Sequence, residues 1–495
     1  MSVLVVALVF LPVATALATW FAPARLSQNL SIVVGVASFA MALALLPRAS
    51  HSTVTAGGLL RIDALSMVFL LAVTFLYATT AVFAKGYLAP GATANERLYG
   101  RRFYAGLNLF CWSLIMVPLV NGLALMWVAV EITTVISALL VAIDDTDGAS
   151  EAAWKYVLLA SLGLGIALFA TIMMYYAGTA VFGASYSLSF STLLSGAVHF
   201  HPDIVRFSFV LAVLGYGTKM GLFPVHTWLP DAHSEAPTPV SALLSGALLA
   251  VSFYAILRFF QIAVRTLGPT FPRDVLLVFG VATLLLAALY LLSQRDMKRL
   301  LAYSSVEHMG ILAIGMSFGA SIAVVGVLLQ VLAHAAAKGT AFYGVGSVVR
   351  KFGTKDMSKI RGGVSALPWS GPMLVLAVLA LSAMPPFGIF RSEFYIVEGG
   401  LSEPHDVIVA IFVMLVIISF FGLSWFTTET MLSEAPVTVS PQVSGAVVVT
   451  RGEVSYWIVA AMAIGLVALV ILGVHPPSSL MHLLDRAAAE LGSVR

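Results

Sequence analysis

Charge is what this sequence has least of. Only 10% of its 495 residues are Asp, Glu, Lys or Arg, against roughly a quarter in a soluble globular domain. Such a chain cannot cover itself with a water-facing surface. It has one cysteine, Cys111, which excludes a disulfide frame, a CxxC zinc site and a cysteine-ligated iron–sulfur cluster. No GxGxxG or GxxxxGK[ST] string occurs, which argues against bound dinucleotide or ATP chemistry. The net charge is only +3, and the basic residues form no cluster interleaved with aromatics, which leaves a nucleic-acid surface without support. What the sequence does have is apolar surface. With 60% hydrophobic residues and a mean hydropathy of +1.00, there is far more of it than one core can bury, so lipid must solvate the rest. These proportions define an all-α polytopic membrane protein.

About fourteen apolar runs are long enough to cross roughly 30 Å of hydrocarbon. They are Val3–Trp20, Leu30–Leu46, Ala64–Phe83, Leu107–Val120, Gly122–Ile143, Trp154–Ala177, Phe207–Trp228, Val240–Phe260, Val275–Leu292, Leu300–Phe318, Ile322–Val349, Met373–Val397, Val407–Phe426 and Tyr456–Val474. The first has no basic residue before its apolar stretch, so it reads as a retained helix rather than a signal peptide. Lys and Arg outside the helix interiors divide unevenly. The richer face holds Arg25, Lys85, Arg97, Arg101, Arg102, Lys155, Lys298, Arg299, Lys355 and others, and the poorer one holds Arg48, Arg61, Arg206, Arg258, Arg265, Arg273, Arg486 and Arg495. By the positive-inside rule the richer face is cytoplasmic, and an even helix count puts both termini outside the cytoplasm.

Two runs are interrupted in corresponding ways. The seventh contains Gly221-Leu222-Phe223-Pro224 and the twelfth Met384-Pro385-Pro386-Phe387-Gly388. Proline lacks the donor that a lipid-facing helix needs, so such breaks survive where protein or water satisfies the freed carbonyls. Helices four to eight and nine to thirteen then form two inverted five-helix repeats, each with one broken helix; two ordinary kinks are the plainer alternative. The expected regions are 1–103 with three helices, 104–262 as the first repeat, 263–428 as the second, and 429–495 as a loop, a fourteenth helix and a tail. Between the breaks, the proline-rich stretch from Pro224 to Pro239 reads as a loop packed back on the bundle. Its His226, Asp231, His233 and Glu235 share no helical face, so no metal site is expected.

An ionisable group at mid-membrane costs several kcal/mol unless paired or hydrated, and is a functional candidate by default. Glu131 lies in the fifth run, Lys219 in the seventh before its break, His334 and Lys338 in the eleventh four residues apart on one face, and Glu393 in the twelfth after its break. The alternative for any one of them is an ion pair that only locks helices together. Five such groups, in the order acid, base, bases, acid, suit a proton relay, because burial disfavours a charged lysine and a nearby carboxylate restores it. Lys155, His226, His233, Glu307 and His308 are further candidates; the last two stand near Lys298-Arg299 and read as a relay end or channel mouth.

At these residues the chain resembles the antiporter-like subunits of respiratory complex I, Mrp-type sodium/proton antiporters and membrane-bound group 4 hydrogenases. The resemblance is carried by Val130-Glu131-Ile132-Thr133-Thr134, by Lys219-Met220-Gly221-Leu222-Phe223-Pro224 with the His-Thr-Trp-Leu-Pro-Asp-Ala-His stretch after it, and by Asp296-Met297-Lys298-Arg299-Leu300-Leu301-Ala302-Tyr303-Ser304-Ser305. Within that family it is most similar to the F-type membrane subunits of hydrogenase-4, through Glu151–Tyr156, Ser305–Gly310 and Thr354–Met357. The resemblance implies that Glu131, Lys219 and Glu393 are the family's relay acids and lysine, and that His334 and Lys338 bridge them. A lysine many members carry would fall at Ala250, and it is missing. The central link would then run through water, Ser245, Tyr254 or the loop histidines. The implied function is proton translocation, with Na⁺ as an alternative ion, in the bacterial or archaeal inner membrane. Other membrane subunits and a peripheral redox arm would be the partners, and the chain itself would carry no cofactor and no catalytic chemistry. A sodium/proton antiporter subunit or a complex I subunit is the alternative.

Overall fold

The computed structural model describes residues 2–88, 93–434 and 449–492. In lipid, peptide groups have no water to bond, and a helix satisfies them within one segment. The apolar runs accordingly become α1 (Ser2–Phe21), α2 (Ala24–Ala49), α3 (Ala64–Tyr87), α4 (Ala94–Leu119), α5 (Leu123–Val141) and α6 (Asp147–Phe182). A short α7 (Phe190–Gly196) leads to α8 (Pro202–Met220) and α9 (Trp228–Glu235). Then α10 (Thr238–Leu243) runs through a π turn at Leu244–Leu248 into α11 (Leu249–Leu267). The chain continues with α12 (Thr270–Leu291), α13 (Met297–Phe318), α14 (Ser321–Phe352), a single turn α15 (Gly363–Ala366), α16 (Ser370–Leu381), α17 (Gly388–Leu401), α18 (Asp406–Thr427), α19 (Tyr456–Val474) and α20 (Ser478–Glu490). A small hairpin pairs β1 (Val54–Ala56) with β2 (Leu60–Ile62).

Among the described residues eleven helices are long and apolar enough to cross a membrane. The other three expected runs fall on α8, on α13 and on the pair α16 and α17. These lose apolar length to Lys219, to Lys298-Arg299 with Glu307-His308, and to the Pro385-Pro386 break. The protein is a multi-pass membrane protein. Its helices differ sharply in enclosure: 89–100% of the spanning windows of α3, of the α10–α11 rod and of α14 is buried, against 28–39% for α1, α2, α6, α12, α18 and α19. Every residue of α13 except Arg299 is buried as well. Polar side chains can therefore sit on the inner helices without meeting lipid.

Close approach of two helix pairs depends on glycine. A Cβ at Gly215 of α8 would stand 2.5 Å from the Ala167 nitrogen of α6, and one at Gly310 of α13 would stand 2.8 Å from the Leu284 nitrogen of α12. Small residues at such contacts are the usual means of packing helices in lipid.

At the first break α8 ends on Gly221, whose φ of 89° favours glycine. The groups freed there find side chains: the Trp228 indole donates to the Thr218 carbonyl at 2.7 Å, and the Phe223 N–H donates to Thr283 Oγ1 at 3.0 Å. At the second break Ser382 and Met384 fold their N–H groups back onto Val378 and Leu379.

Several expectations are corrected. The seventh helix stops at Met220 rather than running to Trp228, and the Pro224–Pro239 stretch is not wholly loop: it holds the two-turn α9 and the start of α10. Its prolines mislead because Pro230 and Pro239 occupy first turns, where a missing N–H leaves nothing unpaired. The expected boundaries at 103, 262 and 428 fall inside α4, inside α11 and at the start of the π turn closing α18. Hydropathy starts the fourth run at Leu107, whereas the helix begins a dozen residues earlier and carries Arg97, Arg101 and Arg102 in its first turns. The hairpin, α7 and the amphipathic α20 have no counterpart among the apolar runs. Part of the expected C-terminal loop, 435–448, and Arg495 lie outside the described residues.

Candidate functional site

Lys219 is the only charged residue in the last three turns of α8, and its side chain is fully buried. It reaches across to α5, where Nζ donates to the Val130 carbonyl at 2.9 Å, to Thr133 Oγ1 at 2.7 Å and to Thr134 Oγ1. The ammonium thus sits in a cage of neutral oxygens. Glu131, next in sequence to one of those partners, turns aside: Oε1 accepts from Ser161 of α6 at 3.3 Å, and Oε2 is buried without a partner. Among the described residues no direct ion pair joins Lys219 to Glu131.

A second cluster forms where α13, α14 and α17 meet. Gln330, His334 and Lys338 follow one face of α14 at intervals of four. Gln330 Nε2 lies 3.0 Å from His308 Nδ1 and donates to Glu393 Oε1 at 3.1 Å, while its own Oε1 accepts from Ser392. His308 Nδ1 lies 3.8 Å from Glu393 Oε1, and the rings of His308 and His334 stand 5.0 Å apart, edge to face. Lys338 donates to the Leu301 carbonyl at 2.9 Å and faces Glu307 electrostatically. Both ring nitrogens of His334, His308 Nε2 and Glu307 Oε2 are buried without protein partners. Buried polar atoms in that state call for bound water.

The structure therefore brings His334, Lys338, Glu393, Glu307 and His308 together and sets Glu131 with Lys219 in a separate group. Glu307 and His308 are enclosed in the bundle. They are 2% and 0% exposed, more than two turns inward from Lys298. Gln330, which joins His308 to Glu393, escapes a reading confined to ionisable types; its signal is the four-residue step back from His334.

Ala250 is buried, and five residues before it on the same rod stands Ser245, in the π turn. Its Oγ lies 2.6 Å from Ser305 Oγ, and Ser305 also donates to the Leu301 carbonyl at 2.9 Å, the acceptor that Lys338 uses. Tyr254 belongs elsewhere, 3.2 Å from Ser66 at the opposite end of α3.

The remaining candidates lie toward the Lys/Arg-rich rim. Lys155 is half exposed and pairs with Glu151 at 2.6 Å and Asp231 at 3.4 Å. His226 is nearly buried beside Phe223, its Nδ1 unpartnered. His233 is fully buried on α9, with Nδ1 2.8 Å from the Leu229 carbonyl and Nε2 unpartnered. The acids of that stretch turn to other partners, Asp231 to Arg299 at 2.8 Å and Glu235 to Lys355 at 2.7 Å. Among the described residues no three His, Cys, Asp or Glu gather as metal ligands.

Near the opposite rim a buried clamp holds α3, α11 and α20. Arg258 Nη2 donates to Asp63 Oδ1 at 2.6 Å and to Ser66 at 2.8 Å, while Asp63 also caps α3. Burial opposes ionisation of Asp63, but Arg258 and Arg61 outweigh it and hold its carboxyl well below the usual range. The Glu490 carboxylate accepts from the Ala64 and Leu65 N–H groups at 3.4 and 3.2 Å, and burial with the nearby Asp63 pushes it above the usual range.

A bundle of this kind, with buried bases and acids beside broken helices, defines the class of antiporter-like membrane subunits. Residues 120–419 match the family described as NADH:quinone oxidoreductase/Mrp antiporter, TM, and the chain belongs to it. It is 35% identical over 389 residues to the hydrogenase-4 component F homolog of Methylacidiphilum infernorum (isolate V4), covering 77% of this chain and 79% of that one. Its fold is similar to a chain of the Mrp complex from Dietzia sp. DQ12-45-1b, with a TM-score of 0.84 and 21% identity over 99% of this chain and 97% of that one. It is similar as well to a chain of respiratory complex I from Thermus thermophilus, with a TM-score of 0.79 and 21% identity over 99% and 100%.

Proposed function

We propose that this chain is the proton-translocating membrane subunit of a multisubunit membrane-bound hydrogenase or related respiratory complex, driven by redox chemistry in partner subunits. Protons enter from the Lys/Arg-rich rim toward Lys219, pass laterally to Lys338, Glu307 and the histidines, and leave beside Glu393. The observation that carries this reading is the second cluster. Five ionisable groups from three helices converge there with several polar atoms unpartnered, whereas a structural lock would satisfy its members. The hydrogen-bonded Ser245–Ser305 pair, sharing the Leu301 carbonyl with Lys338, serves as the central link in place of a charge at Ala250. π turns of this sort are frequent at functional sites.

The reading keeps fourteen passes and two inverted repeats, in which Glu131 corresponds to Glu307 and Lys219 to Glu393. It keeps the inner membrane of a bacterium or archaeon, the Lys155–Arg299–Lys355 rim in the cytoplasm and both termini outside. The likeness to the Mrp complex favours a second reading, a subunit of a sodium/proton antiporter. Vesicles separate the two. Proton uptake that requires an electron donor and is lost in Lys219→Ala and Glu131→Gln supports the first; sodium-dependent proton exchange with no electron donor supports the second. Assembly is checked in each variant, because leaving a buried charge unpaired costs roughly 3–5 kcal/mol.

A further inference from the structure

α1, α4 and α5 enclose a groove of about 610 Å³ that opens toward the lipid. Val13 and Leu17 line it from α1 and Leu139 from α5, so most of its length is hydrocarbon. One end differs. There the last turn of α1, the first third of α4 and the residue that follows α5's closing turn bring Trp20, Arg102 and Asp145 to the wall. Neither Arg102 nor Asp145 has an ion-pair or side-chain hydrogen-bond partner among the described residues, and the two are not paired to each other. Both are exposed at the same end of an apolar slot, an arrangement that suits a ligand carrying both signs. Trp20 marks the headgroup level, where tryptophan settles in membrane proteins.

We propose that this groove binds an aminophospholipid, a phosphodiester bearing a primary ammonium, with an acyl chain between α1, α4 and α5, the phosphate on Arg102 and the ammonium on Asp145. The size favours a lipid over a neighbouring helix. A helix about 10–12 Å across rides on a bundle surface, whereas this slot has the volume of a small-molecule site, about 300–1,000 Å³. The charges select the headgroup: an anionic lipid without an ammonium leaves Asp145 unpaired and repelled, and a quaternary ammonium offers Asp145 no N–H donor.

The protein, purified from its own membrane in mild detergent, is equilibrated with equal parts of phosphatidylethanolamine, phosphatidylglycerol and phosphatidylcholine and examined by native mass spectrometry. One retained lipid per chain is expected, with the ethanolamine form enriched about fivefold. Asp145→Asn keeps the lipid and loses the preference, Arg102→Gln loses retention of all three, and Leu17→Trp, which fills the slot without touching a charge, empties it. Equal retention of the three headgroups, or a preference unchanged in Asp145→Asn, overturns the proposal. So does a photocrosslinker at position 139 that captures another polypeptide in the membrane instead of lipid.

Discussion

Lys219 and Lys338 are both held by neutral oxygens, not by carboxylates, although each has a glutamate within electrostatic reach. Pairing that is near but not closed leaves the lysine free to lose its proton without breaking a salt bridge. If the Ser245–Ser305 pair passes the proton onward, Ser305→Ala lowers proton flux about tenfold or more while the complex still assembles, and Ser305→Thr, which keeps a hydroxyl, restores most of it. Equal flux in Ser305→Ala and wild type, read in vesicles, would remove that link. Arg258 and Asp63 make the opposite case, a direct and fully enclosed pair. Asp63→Ala strands a buried guanidinium and is expected to cost roughly 3–5 kcal/mol, seen as a lowered midpoint of thermal unfolding in detergent.

Among the elements, the α6–α8 and α12–α13 contacts are set by glycine, and Gly215→Val forces α8 away from α6. That moves Lys219 from its α5 oxygens, so assembly falls together with transport, whereas Gly165→Val, which meets nothing within 4 Å, leaves both near wild type. α20 offers a pH test. The Glu490 carboxyl is raised in the docked helix, so docking is fully favoured below its free value and weakens as pH rises through the docked one. Hydrogen exchange across Ser478–Glu490, corrected for intrinsic rates, is expected to be slower near pH 5 than near pH 8 in wild type and pH-independent in Glu490→Gln. The long helices are legible in the sequence because their apolar runs need only be counted, and the two breaks because glycine and proline mark them. α9 is not, since its prolines look like breakers until their first-turn positions are known. α20 is not, since its short amphipathic pattern carries no spanning signal.

Across the whole molecule, the identities of the buried charges are legible in the sequence but their grouping is not. Glu131, Lys219, His334, Lys338 and Glu393 stand out as ions in apolar runs. Which of them meet depends on how α13 and α17 fold against α14, and no spacing within one helix encodes that. Glu307 and His308 read as relay end or mouth because the sequence shows only that they follow Lys298 on one helix, not that α14 and α17 enclose them. Gln330 draws no notice because an amide is not ionisable. The account rests on one claim, that protons cross the bundle through Lys219 and the α13–α14–α17 cluster. The direct measurement is electron-donor-driven proton uptake by vesicles holding assembled wild type, Lys219→Ala and Glu393→Gln at equal amounts. Loss of uptake in both variants with assembly intact is the predicted result; uptake at the wild-type rate in both contradicts it.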